Sequence, residues 1–247
     1  MKRARFFGID ERLSVIYLPE RPNGFAVFLL SDHGTVVEED TNNWEQHPEK
    51  NQFMEDLLQR GYTIMIPPVG DVHWGNFDAY DSLIQMYYSV IKQEILNPKI
   101  HLFAEGAGAL LALRWMEQNK KITRSCYLVN PCLSLVAHYE QEQESKLYFK
   151  RFVKELAEVY RKEEVCINEN WIESITPKPL EKEIPPLSIH CDMQEKRFPL
   201  SLHSRPFQQY LADQNMLINL RIHGNGKSFY KAAQSAFPFF QKHEIVL

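Results

Sequence analysis

Glycine is scarce in this chain, with ten residues among 247, against an average usage of about 7%. No apolar run near the start is long enough for a signal peptide or a membrane span. Basic Lys2, Arg3 and Arg5 are followed by charge at Asp10, Glu11 and Arg12, which points to a cytoplasmic protein with no membrane partner. Cys126, Cys132, Cys166 and Cys191 form no C-x-x-C pair, so they read as free thiols, mostly buried. Histidine occurs without H-E-x-x-H or H-x-H spacing, and no metal site or cofactor is expected. Acidic and basic residues intermingle around a formal charge of -4. That balance lacks the basic field that nucleic acid requires.

What the chain does have is an alternation of short apolar runs and stretches of helical spacing. Strands are expected at 25–30, 62–66, 100–103, 126–129, 187–190 and 217–222, each buried on both faces. Helices are expected at 51–60, 80–94, 107–119, 146–162, 204–214 and 231–242. Two weaker runs, 5–9 and 13–18, suit an antiparallel hairpin at the sheet edge. The alternation implies a mostly parallel sheet with helices on both faces, in a single domain over 1–247. The charged segment 137–186 is either a small helical lid or an extended excursion before the next strand.

Because glycine is scarce, its positions carry information about the backbone. Gly34, Gly106, Gly108, Gly224 and Gly226 all follow expected strands, where ligands bind in open α/β sheets. The run I-H-L-F-A-E-G-A-G-A-L-L-A-L-R-W from Ile100 resembles the strand, sharp turn and helix of the α/β-hydrolase nucleophile elbow. Its usual motif is G-x-S-x-G, and here Gly106 stands at the serine position. Asp32-His33-Gly34-Thr35 resembles the segment that helps form the family's oxyanion hole, and Gly61-Tyr62 before a strand and Pro67 is also similar. I-H-C-D-M-Q-E-K-R-F-P from Ile189 resembles the family's acid segment, with Glu195 at the aspartate position and Asp192 as the rival. R-I-H-G-N-G-K-S-F from Arg221 resembles the G-x-G-H loop, with Lys227 in place of histidine.

The resemblance implies an α/β-hydrolase fold with a small helical lid or insertion and a degenerate triad at Gly106, Glu195 and Lys227. Glycine offers no nucleophile, and an ammonium with an ordinary pKa near 10.4 accepts no proton at neutral pH. The expected function is a binding or regulatory module without hydrolase activity. The amides of Ala107 and Gly108, with Lys227, suit a small anionic ligand. His33, Gly34, Thr35 and Trp74 complete the expected binding set, and a protein partner or a second copy of the chain is a further expectation. The alternative is an esterase or thioesterase with an unconventional nucleophile, for which His33, Cys191 and Ser228 are the residues to consider.

Overall fold

The computed structural model describes residues 3–9, 12–32, 37–38, 41–177, 183–224, 226 and 228–244. A hairpin of β1 (Arg3–Ile9) and β2 (Arg12–Leu18) leads into β3 (Ala26–Leu30). Two helices follow, α1 (Asn43–Gln46) and α2 (Pro48–Gln59), then β4 (Thr63–Ile66) and α3 (Phe77–Gln93). Next come β5 (Ile100–Glu105), α4 (Gly108–Gln118) and β6 (Thr123–Val129). Between β6 and β7 lie α5 (Leu135–Glu142), α6 (Lys146–Tyr160) and α7 (Glu169–Ile175). The chain continues through β7 (Leu187–Asp192), α8 (Ser204–Asp213), β8 (Asn219–His223), α9 (Phe229–Ala233) and α10 (Ala236–Lys242).

The eight strands form one sheet in the order β1-β2-β4-β3-β5-β6-β7-β8. β2 is antiparallel to β1 and β4, and every other pairing is parallel. Alternate side chains sort onto two faces, as strand geometry requires. Phe28, Leu102, Ala104 and Leu128 join α3, α4 and α8 in one core. Leu29, Phe103, Tyr127 and Val129 join α2, α9 and α10 in the other. There Phe53 of α2 lies 4.5 Å from Phe103 and 5.2 Å from Phe237, ring centre to ring centre.

Local chemistry moves several boundaries from their expected places. α2 starts at Pro48, whose missing N–H and fixed φ suit a first helical turn. α3 starts after Asn76, whose side chain accepts from the Ala79 N–H at 3.0 Å. The expected helix 231–242 is two helices, α9 and α10. β8 is a correction of another kind: it is largely exposed, not buried on both faces, because it closes the sheet as an edge strand. The segment 137–186 carries α6 and α7 and most of α5, where the sequence pattern marked a single helix. These helices build a third apolar cluster, including Leu135, Phe152, Leu156 and Ile172, which reaches Ala107 and Leu110 at the start of α4.

Candidate functional site

β5 delivers the chain to a sharp turn at Gly106, whose φ of +50° lies in the left-handed region. A residue with a side chain pays about 1–3 kcal/mol in such a conformation, whereas glycine adopts it freely. The turn is tied down on both sides. The Gly106 N–H donates to Val129 O at 3.1 Å, and its carbonyl accepts from the Cys132 N–H at 2.9 Å. Gly108 is required for a different reason: a Cβ there would stand 2.4 Å from the Leu30 carbonyl oxygen, where α4 crosses the end of β3.

The space a side chain on Gly106 would need is already filled. A Cβ built there would lie 2.1 Å from Asp32 Oδ1 and 2.3 Å from its Cγ. The same Oδ1 accepts the Ala107 N–H at 2.8 Å, so Asp32 engages the first backbone donor after the elbow. Its other oxygen pairs with Arg197, from the loop after β7. The Arg197 guanidinium in turn lies 5.3 Å from the Trp74 ring centre and 4.8 Å from that of Phe198.

Glu105, immediately before the turn, has a side chain only 11% exposed and pairs with Lys50 of α2. The Lys50 ammonium lies 5.1 Å from the Trp44 ring centre and 5.5 Å from that of Phe229, close enough for cation–π attraction. A buried carboxylate is tolerated here because its counter-ion is fixed beside it.

At the end of β7, the Asp192 N–H donates to Asn130 Oδ1 at 2.8 Å, and Asp192 Oδ1 accepts the Gln194 N–H at 2.9 Å. Glu195 Oε1 accepts the Arg197 N–H at 2.8 Å. Behind them runs a chain of rings. His223 Nδ1 is 2.7 Å from His190 Nε2, His190 Nδ1 is 3.0 Å from the Tyr127 hydroxyl, and that hydroxyl donates to Ala232 O at 3.0 Å. Burial pushes the Tyr127 hydroxyl up to about 12, so it stays protonated. His223 Nε2 stands 3.5 Å from Asp192 Oδ2.

These groups meet around a cleft of about 230 Å³ at the strand ends, lined by Asp32, Glu105, Gly106, Asn130, Glu195, Arg197, Phe198, His223 and Phe229. Of the sequence-derived positions, Gly106 and Glu195 line it, while Asp192 stands behind it beside His223. Ala107 and Gly108 form the turn beneath. His33, Gly34, Thr35 and Lys227 lie outside the described residues. Trp74 is 4% exposed and lies in the packed layer beneath α5 and α6. It stacks on His138 at 5.1 Å and donates from Nε1 to Glu155 Oε2 at 2.9 Å.

Burial holds His138 down at about 3, and His203 down at about 4. Of the other nucleophile candidates, the Cys191 thiol is buried, lies 2.9 Å from Ser204 Oγ, and is raised by burial to about 11. Among the described residues, no three His, Cys, Asp or Glu side chains are grouped to hold a metal ion. Sequence reasoning missed Arg197, Lys50, Asn130 and the contact of His223 with His190 and Tyr127. Asp32 was visible only as the first letter of the D-H-G-T segment.

No protein-family model matches the chain, and no curated protein matches it. Solved structures do. The acylaminoacyl peptidase of Pyrococcus horikoshii superposes on 98% of the chain with a TM-score of 0.68 at 14% identity, and the chain spans 41% of its length. The fluorophosphonate-binding serine hydrolase F of Staphylococcus aureus gives a TM-score of 0.64 at 13% identity, with 98% of each chain covered. The thermophilic esterase Est2 of Thermogutta terrifontis gives 0.61 at 15% identity, covering 98% of this chain and 90% of its own. At such identities the likeness is one of fold, and the chain has the α/β-hydrolase fold. No described helix is long and apolar enough to cross a membrane.

Proposed function

We propose that this hydrolase-fold chain binds a small ligand in its strand-end cleft without cleaving it. The observation that carries the reading is the Asp32 carboxylate, which stands where a nucleophile's side chain on Gly106 would project and takes the Ala107 N–H. In this fold that amide is one of the two donors of the oxyanion hole. Nucleophilic acyl transfer needs an attacking group, a base and a vacant oxyanion site. Gly106 supplies no attacking group, and Asp32 occupies the amide. In this reading α5, α6 and α7 form a fixed roof, and the chain acts as a binding or regulatory module.

The second reading, an esterase-type enzyme with an unconventional nucleophile, is favoured by the proximity of His223 to Asp192. It requires a nucleophile near His223. Cys191 is a poor candidate, since its thiol stays protonated at neutral pH. His33 and Ser228 remain to be replaced in turn.

The test is a screen of the purified chain against p-nitrophenyl esters and thioesters of several acyl lengths, with a fluorophosphonate probe in parallel. The comparison protein carries Asp32→Gly, Gly106→Ser and Lys227→His together. The native chain is expected to show no turnover and no labelling, and the triple variant to gain both. Steady turnover by the native chain would sink the non-cleaving reading in favour of the second.

A further inference from the structure

We propose that β1 is a docking edge for a second copy of this chain, with the two β1 strands pairing antiparallel about a twofold axis at Phe6 so that two eight-stranded sheets join into one. β1 ends the sheet: it pairs with β2 on one side, and no described strand lies on the other. An open edge offers its N–H and C=O groups to any strand of matching register, and proteins blunt such edges with proline, bulges or short strands. β1 has none of these, running for seven residues without proline or a shift of register.

The hairpin sets which groups face outward. Ile9 faces Arg12 across a link of two residues, and a hairpin of that kind closes on a pair that exchanges hydrogen bonds. Bonding alternates from there, so Ile9, Phe7, Arg5 and Arg3 bond to β2, while Gly8, Phe6 and Ala4 turn their N–H and C=O groups away from it. A twofold axis at Phe6 matches this outward set to itself. Phe6 meets Phe6 of the second copy, Ala4 meets Gly8, and every outward N–H and C=O of the three residues finds a partner.

Gly8 is the independent observation. Its φ is not in the left-handed region, and a Cβ built on it would meet nothing within 4 Å. Neither the backbone nor packing within the chain calls for glycine there, although glycine weakens a strand interior, and a close approach from outside accounts for it. Ala4, Phe6 and Gly8 share one face of the strand, where half-buried Phe6 packs against the core that includes α2. In the paired edge the two Phe6 rings lie side by side, and the small residues flanking them leave room.

Charge agrees with this register. On the other face it sets Arg5 opposite Phe7 and Arg3 opposite Ile9, so no like charges face each other directly, an arrangement that would be destabilising. Arg5 keeps its own Glu94. Arg3 and Arg5 stand in the first half of the strand, and Asp10 and Glu11 follow its last residue, so antiparallel pairing brings each basic end to an acidic one. β8, the edge at the other end of the sheet, is five residues long, and Arg221 at its middle would face itself across the corresponding axis.

The experiment is sedimentation equilibrium of the full chain over a range of concentrations, and a reversible monomer–dimer equilibrium is expected. Phe6→Glu and Phe6→Lys each place like charges across the axis and should each raise the dimer Kd at least tenfold. An equimolar mixture of the two should recover a dimer, because residue 6 of one copy faces residue 6 of the other. Ala4→Pro, at an exposed position, removes an outward N–H without touching the ladder to β2 and should weaken the dimer as well. Circular dichroism and thermal melts identify the variants that keep the native fold. Leu217→Lys, 90% exposed and beside β8, should leave Kd unchanged.

A native chain that stays monomeric at every concentration would overturn the proposal. So would a native Kd in folded Ala4→Pro, no recovery in the mixture of two folded charge variants, or loss of the dimer in Leu217→Lys.

Discussion

Asp32 and Gly106 exclude each other's alternatives: a Cβ on Gly106 would stand 2.1 Å from Asp32 Oδ1, so the carboxylate can reach the Ala107 N–H only because residue 106 has no side chain. The turn after β5 holds Gly106 at a positive φ, and the space beside it is taken by a group from the end of β3.

Gly106→Ser alone is therefore expected to destabilise the protein and to confer no esterase activity. The left-handed backbone costs about 1–3 kcal/mol for a residue with a side chain, and displacing Asp32 adds to that. Urea unfolding of Gly106→Ser beside Gly106→Ser/Asp32→Gly measures both terms, and the double variant should regain part of the loss. Equal stability of native and single-variant protein would mean that Asp32 does not occupy that space.

Lys50→Met should cost about 3–5 kcal/mol, the range for leaving one member of a buried pair uncompensated, because Glu105 is largely buried. Lys50→Met/Glu105→Gln should recover much of it. Chemical denaturation of the two variants gives the comparison, and a loss under about 1 kcal/mol in the single variant would place the pair with ordinary surface ion pairs.

Acid should weaken the layer beneath α5 through His138 and His203. Burial lowers their folded-state values to about 3 and about 4, below the unfolded value near 6.5. Between those limits the unfolded chain binds more protons, so stability falls as pH drops from about 6.5, at up to roughly 1.4 kcal/mol per pH unit for each proton. The loss levels off below about 4 for His203 and about 3 for His138. Thermal melts from pH 7 to pH 4 should show a shallower slope for His203→Gln than for the native chain, and parallel slopes would count against this assignment.

Much of the sheet was legible in the sequence because strands buried on both faces read as continuous apolar runs, as at β3, β5 and β6. β8 was misjudged from the same signal, since an apolar run does not say whether another strand lies beyond it. α5 and α7 were hidden because short helices with mixed polarity carry little periodicity. At the site, the turn at Gly106, Ala107 and Gly108 could be read from its motif, while the assignment of Trp74 to a packed layer could not.

The amino-acid order by itself determined the alternation of strands and helices and the glycines at the turn after β5, because backbone freedom and hydrophobic period are properties of single residues and their near neighbours. Only the tertiary structure decided what surrounds that turn. The meeting of Asp32 with Ala107 and Arg197, of Lys50 with Glu105, and of His223 with His190 and Asp192 joins residues from different strand ends. Their distances depend on how the parallel strands are ordered in the sheet, which no local pattern encodes.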